Sequence, residues 1–117
     1  MRQAGIAAAA CVYALDYHVE RLAEDHARTR RLAEALHDAG LAVDLEQVET
    51  NFVQIDVGAL GLSQVDALER LRAEGVRLSG TSGGKLRAVT HLDVTDEDIE
   101  RAAELIPRAL GVPARVA

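Results

Sequence analysis

The sequence predicts an α+β fold, with long N-terminal helices followed by a small mixed or antiparallel sheet of about three to four strands carrying helices on one face. Three observations lead there. Residues 51–57 and 86–90 alternate with the two-residue period of strands that bury one side. Ser63 with Asp66, and Thr95 with Asp98, each set a hydroxyl three positions before an acid, which is how a capped helix begins. Upstream, over 19–39, apolar residues recur at three and four, the spacing of an amphipathic helix.

Taken in order, residues 3–15 are an almost unbroken run of small apolar side chains. Such a helix has no wide polar face, so it calls for a surrounding on most sides, from another domain or subunit. The run is too short to cross a bilayer and leads straight into charged sequence rather than a cleavage region, so it reads as a buried helix. Cys11, the single cysteine, lies within it and reads as a buried spacer in a protein of the reducing cytoplasm. The pattern breaks around Asp16, Tyr17 and His18. It resumes as an amphipathic helix over 19–39 with Val19, Leu22, His26, Thr29, Ala33 and Leu36 as its inner stripe, stopped by Gly40.

Residues 41–45 read as a short strand or an extended link. In 51–57 the side chains of Val53, Ile55 and Val57 share one face, and Phe52, Gln54 and Asp56 the other. Gly58 and Gly61 bracket a turn before a helix reaching Glu74, with Val65, Leu68 and Leu71 as its core face. Another strand begins at 76–78, a flexible loop covers 79–84, and the strand 86–90 follows. The last helix runs from Asp96 to about Leu110, burying Ile99, Ala102, Ala103, Leu105 and Ile106, with Pro107 expected to kink its end or stop it short. The division expected is a helical segment over 1–40 and a small α+β domain over 41–117.

Composition narrows the function classes. A net charge of −6 disfavours nucleic acid and anionic membranes, both of which need clustered Lys and Arg. Aromatics are 3% with no Trp, so stacking platforms for bases or sugars are lacking.

Arg87 is the side chain that asks for a chemical explanation. It lies in an otherwise apolar strand, where a guanidinium is costly to bury without an anion. Its planar fork suits a carboxylate gripped through two parallel hydrogen bonds, so the expectation is that Arg87 holds the carboxylate of an amino-acid substrate. The competing reading is a strand arginine on the solvent face or in a structural salt bridge.

Two motifs resemble landmarks of the L-threonine aldolases, fold type I pyridoxal-phosphate enzymes of the aspartate-aminotransferase-like group. They are Met1-Arg2-Gln3-Ala4-Gly5-Ile6 with the alanines after it, and Arg87-Ala88-Val89-Thr90-His91-Leu92-Asp93-Val94. Val19-Glu20-Arg21-Leu22-Ala23-Glu24-Asp25-His26 and Thr50-Asn51 match in manner and order. The resemblance covers essentially this whole chain but about the last third of a typical member. It implies the C-terminal domain of such a lyase, which cleaves threonine or allo-threonine to glycine and acetaldehyde with the pyridine ring storing the released electrons. It implies Arg87 as the substrate-carboxylate clamp, Arg2 as a contact to the cofactor phosphate, and a homo-oligomer or docking onto a large domain. The family's imine-forming lysine lies upstream of Met1-Arg2-Gln3, so the expectation is a chain that is inactive alone. The alternative from another class is a stand-alone ferredoxin-like module that binds amino acids or dimerises.

Several patterns are decoys. Lys85, the only lysine, stands outside the family's lysine context. Residues 80–85 imitate a phosphate loop, but Leu86 replaces the required hydroxyl residue and a strand follows. His18, His26, His37 and His91 form no metal-ligand spacing, and His91 reads as a brace for the strand-to-helix corner.

Overall fold

The computed structural model describes residues 4–112. Four helices and three strands follow in the order α1 (Ala4–Tyr17), α2 (Leu22–Asp38), β1 (Phe52–Ile55), α3 (Gln64–Ala73), β2 (Ser79–Gly80), β3 (Leu86–Val89) and α4 (Asp96–Ala109). The α+β class and the strand, helix, strand, strand, helix order of the second half are as the sequence predicts. The sheet is antiparallel with order β1-β3-β2, so the last strand in sequence lies in the middle.

Alternation decides which way each strand faces. Val53 and Ile55 of β1 and Leu86 and Ala88 of β3 are buried, and they form one apolar cluster with Leu32, Ala33 and Leu36 of α2, Ala67 and Leu71 of α3, and Ile99 and Ile106 of α4. Phe52, Gln54 and Val89 face away from that cluster and are exposed, with Arg87 half-buried among them. The sheet therefore has a helix-covered side and an open side.

Both helix starts are capped as read. The Ser63 hydroxyl accepts from the Asp66 N–H, and Thr95 and Asp98 form a reciprocal capping box. α2 is tied to α4 by ion pairs, Arg28 to Asp96 at 2.8 Å and Arg31 to Glu100 at 2.9 Å. The Asp96 hydrogen bond is the main cause holding the Arg28 guanidinium above its ordinary value, and Glu100 does the same for Arg31.

Several expectations are corrected. α1 forms, but none of its residues is buried by the described chain, and Cys11 is exposed rather than a buried spacer. Residues 18–21 form a turn, so α2 starts at Leu22. Its inner face is Asp25, Thr29, Leu32, Ala33 and Leu36, while Val19, Leu22 and His26 are exposed. Asp25 can take that place because Arg21, one turn earlier, reaches its carboxylate at 3.3 Å. On α3 the buried pair is Ala67 and Leu71, and Val65 is exposed. Residues 41–44 are an extended link, and β2 lies at Ser79–Gly80, within the stretch read as a loop, while 76–78 make no strand pairing. Pro107 does not stop α4, which continues to Ala109. The proline is itself buried, and the last turn closes through Val112 N–H donating to the Pro107 carbonyl at 2.9 Å.

Candidate functional site

Arg87 stands on the open side of the sheet, on the central strand, directly across from Gln54. Phe52, two positions along β1 and on the same side, lies under it, with the guanidinium carbon 5.0 Å from the ring centroid. A cation over an aromatic face is attracted by the ring's quadrupole. Nε of Arg87 is buried and has no hydrogen-bond partner among the described residues. The half-buried arginines of the described chain are Arg21, Arg28 and Arg87. The first two are paired to carboxylates, whereas none of the described ion pairs includes Arg87. A guanidinium held in place, partly stripped of water and left without an anion is what a carboxylate-binding group requires.

The ends of the two long strands are fastened beside it. The Asn51 side-chain amide donates to the Thr90 carbonyl at 2.9 Å, and the Thr90 N–H donates to the Asn51 carbonyl at 3.0 Å. Beneath, on the covered side, the Thr90 hydroxyl meets the Thr29 hydroxyl and the Asp25 carbonyl. β3 is thus gripped at its C-terminal end from both sides, which fixes the strand that carries Arg87. The Asp93 N–H donates to His91 Nδ1 at 3.2 Å, so His91 braces the corner between β3 and α4 as expected.

Next to Phe52 and Gln54 an open cleft of about 500 Å³ is bordered by Asp44, Glu49, Asp56 and Lys85. Three carboxylates around one lysine make this a poor place for a phosphate ester. Residues 80–85 do not cradle one either. They fold into a turn with Gly83 and Gly84 at positive φ and run into β3 rather than a helix. Arg2 lies outside the described residues. Neither that cleft nor the 80–85 turn fits a pyridoxal phosphate. Among the described residues, no group of His, Cys, Asp and Glu is arranged to hold a metal ion, and no helix is long and apolar enough to cross a membrane.

Sequence reasoning did not single out Phe52 or Asn51 for Arg87. Alternation places Phe52 and Arg87 each on a strand face, but the register that sets one under the other joins residues 35 apart and is tertiary.

The profile of the Beta-eliminating lyase family matches residues 1–59. The chain belongs to the beta-eliminating lyase family. The α+β architecture of this family member is consistent with a small domain of a fold type I pyridoxal-phosphate enzyme. It is 38% identical over 103 residues to the low specificity L-threonine aldolase of Escherichia coli (strain K12), a match covering 88% of this chain and 29% of that protein. It is 29% identical over 112 residues to low-specificity L-threonine aldolase 1 of Arabidopsis thaliana, covering 94% of this chain and 31% of that one. A probable low-specificity L-threonine aldolase 2 of the same plant is 33% identical over 102 residues. This beta-eliminating lyase chain therefore spans less than a third of the length of the curated relatives it matches.

Proposed function

We propose that this chain supplies the substrate-carboxylate side of a pyridoxal-phosphate-dependent lyase of the threonine aldolase type, which cleaves threonine or allo-threonine to glycine and acetaldehyde. The observation that carries this reading is Arg87: half-buried, stacked on Phe52, and unpaired among the described residues. The identity to proteins named as L-threonine aldolases supports the substrate class.

The part this chain plays is binding and orientation. Arg87 takes the substrate carboxylate in a bidentate grip and fixes the amino acid at that end. With Asn51 and Thr90 pinning β3, the clamp is held on regular structure rather than on a loop. The cofactor's lysine and phosphate site are proposed to be completed in the assembled enzyme, since the cleft and the 80–85 turn do not suit a phosphate. Arg2 is proposed as a phosphate contact there, and this chain is proposed to be inactive by itself. Residues 1–40 are the helical link and 41–117 the small domain. Within the link, α1 has the unpartnered apolar surface that a large domain or a second subunit of a cytoplasmic homo-oligomer would cover.

The test is a chimera in which this chain replaces the matching portion of the Escherichia coli relative. The chimera should cleave threonine. Arg87→Ala should cost about 2–4 kcal/mol in kcat/KM, mostly through KM, as a charged partner is lost. A folded, cofactor-loaded chimera whose cleavage is indifferent to Arg87→Ala would overturn the clamp.

A further inference from the structure

A guanidinium can take a carboxylate through Nε and one Nη, or end-on through its two Nη groups. At Arg87 the choice is already restricted. Its Nε is buried with no partner, so a ligand arriving on the open face meets only the Nη edge. What lies under the group is Phe52, opposite Val89 in register and diagonal to Arg87 on the same face, close enough for a long side chain to cross the ring. The Ser79 hydroxyl reaches the Arg87 carbonyl at 3.5 Å, but no described side chain hydrogen-bonds the guanidinium itself, so the Phe52 ring is the charge-complementary contact it makes.

We infer that Phe52 is a positioning residue for Arg87: its ring holds the guanidinium flat, keeps Nε closed off, and leaves the two Nη groups as an end-on fork for an amino-acid carboxylate. This rests on the clamp reading of Arg87. It adds which edge of the guanidinium is used and which residue selects it. A β-branched or aliphatic residue at 52 would keep the strand but lose the quadrupole, freeing Arg87 to swing and expose Nε.

The experiment is nitrogen-15 NMR of the arginine side chains in the full 117-residue chain, titrated with sodium acetate and then with threonine. The Arg87 Hε signal should be displaced upfield by the Phe52 ring and exchange slowly with water. Both properties should vanish in Phe52→Leu and survive in Phe52→Tyr. Acetate should move the Nη signals and leave Nε in place, with affinity falling roughly 3- to 20-fold in Phe52→Leu, the span such a contact supports. Phe52 is exposed at 43%, so the leucine variant should fold, and Phe52→Tyr serves as the folded control. An Arg87 Hε that exchanges as fast as that of exposed Arg72, or an acetate response unchanged by Phe52→Leu, would overturn the positioning role and leave the clamp standing. An intact ring contact with no response to either carboxylate would overturn the clamp itself.

Discussion

The hydroxyls of Thr29 and Thr90, 61 residues apart in sequence, meet at 2.7 Å in the interior, and both reach the Asp25 carbonyl. Thr29 belongs to α2 and Thr90 follows β3, so this contact joins the helical segment to the end of the strand that carries Arg87. Thr29→Val or Thr90→Val alone removes the hydroxyl–hydroxyl contact but leaves the remaining hydroxyl the Asp25 carbonyl, so each should cost about 0.5–1.5 kcal/mol. The double variant removes both polar groups together and should cost less than the sum, with a coupling on the order of 1 kcal/mol. Urea unfolding of the four chains measures it. Strict additivity would mean that the two hydroxyls do not sense each other.

The capping box at α4 predicts a pH effect. The Asp98 carboxyl is held below its ordinary value of 3.8, first by the hydrogen bond from the Thr95 N–H and then by the Thr95 side chain, with Arg101 assisting and desolvation opposing. A depressed folded pKa means that folding favours the ionised form. That stabilisation is complete above the unfolded value and is lost as pH falls through the folded one. The stability difference between the parent and Asp98→Ala should therefore be widest near neutral pH and shrink below 3.8. Denaturant midpoints across an acid series read this directly, and parallel curves for the two chains would show that the box contributes nothing through charge.

Gly80 fits against an amide that is already in use. A Cβ there would come within 2.5 Å of Gln64 Cδ, while Gln64 Nε2 donates to the Thr81 carbonyl at 2.8 Å and the Lys85 carbonyl at 2.9 Å. Gly80→Ala should push the amide aside and cost about 1–3 kcal/mol through overpacking and lost hydrogen bonds. In a Gln64→Ala background the same change should be nearly neutral, within about 0.5 kcal/mol. Thermal unfolding of the cycle decides it. A full penalty without Gln64 would place the strain in the backbone instead.

What could be read from the sequence was what is decided locally. The two caps depend on residues three apart, and the strand faces on residues two apart, so Ser63 with Asp66, Thr95 with Asp98, and the sides taken by Val53, Ile55, Leu86 and Ala88 are all as read. The α2 face was misjudged because hydrophobic periodicity keeps acids out of an inner stripe. Asp25 enters it on the strength of Arg21 and of two threonine hydroxyls at its own carbonyl, one of them from the far end of the chain. Cys11 and the rest of α1 are a different case, since their sequence calls for cover from another domain or subunit. An apolar sequence states a need for cover, and nothing in the described chain meets it. Arg87 was legible as a strand arginine on the side opposite Leu86 and Ala88, but the ring beneath it was not, since the register of β1 on β3 joins residues 35 apart and is not set by local sequence.

The central position of β3 also sets the order of events during synthesis. β1 and β2 flank it and never touch each other, so a ribosome that has reached residue 85 has delivered two outer strands with an empty lane between them. Val53 and Ile55 lack their β3 neighbours Leu86 and Ala88 until the codons for residues 86–90 have been read, and Thr29 waits the same interval for its mate. The sheet therefore closes only when its last-made strand enters between the two already delivered.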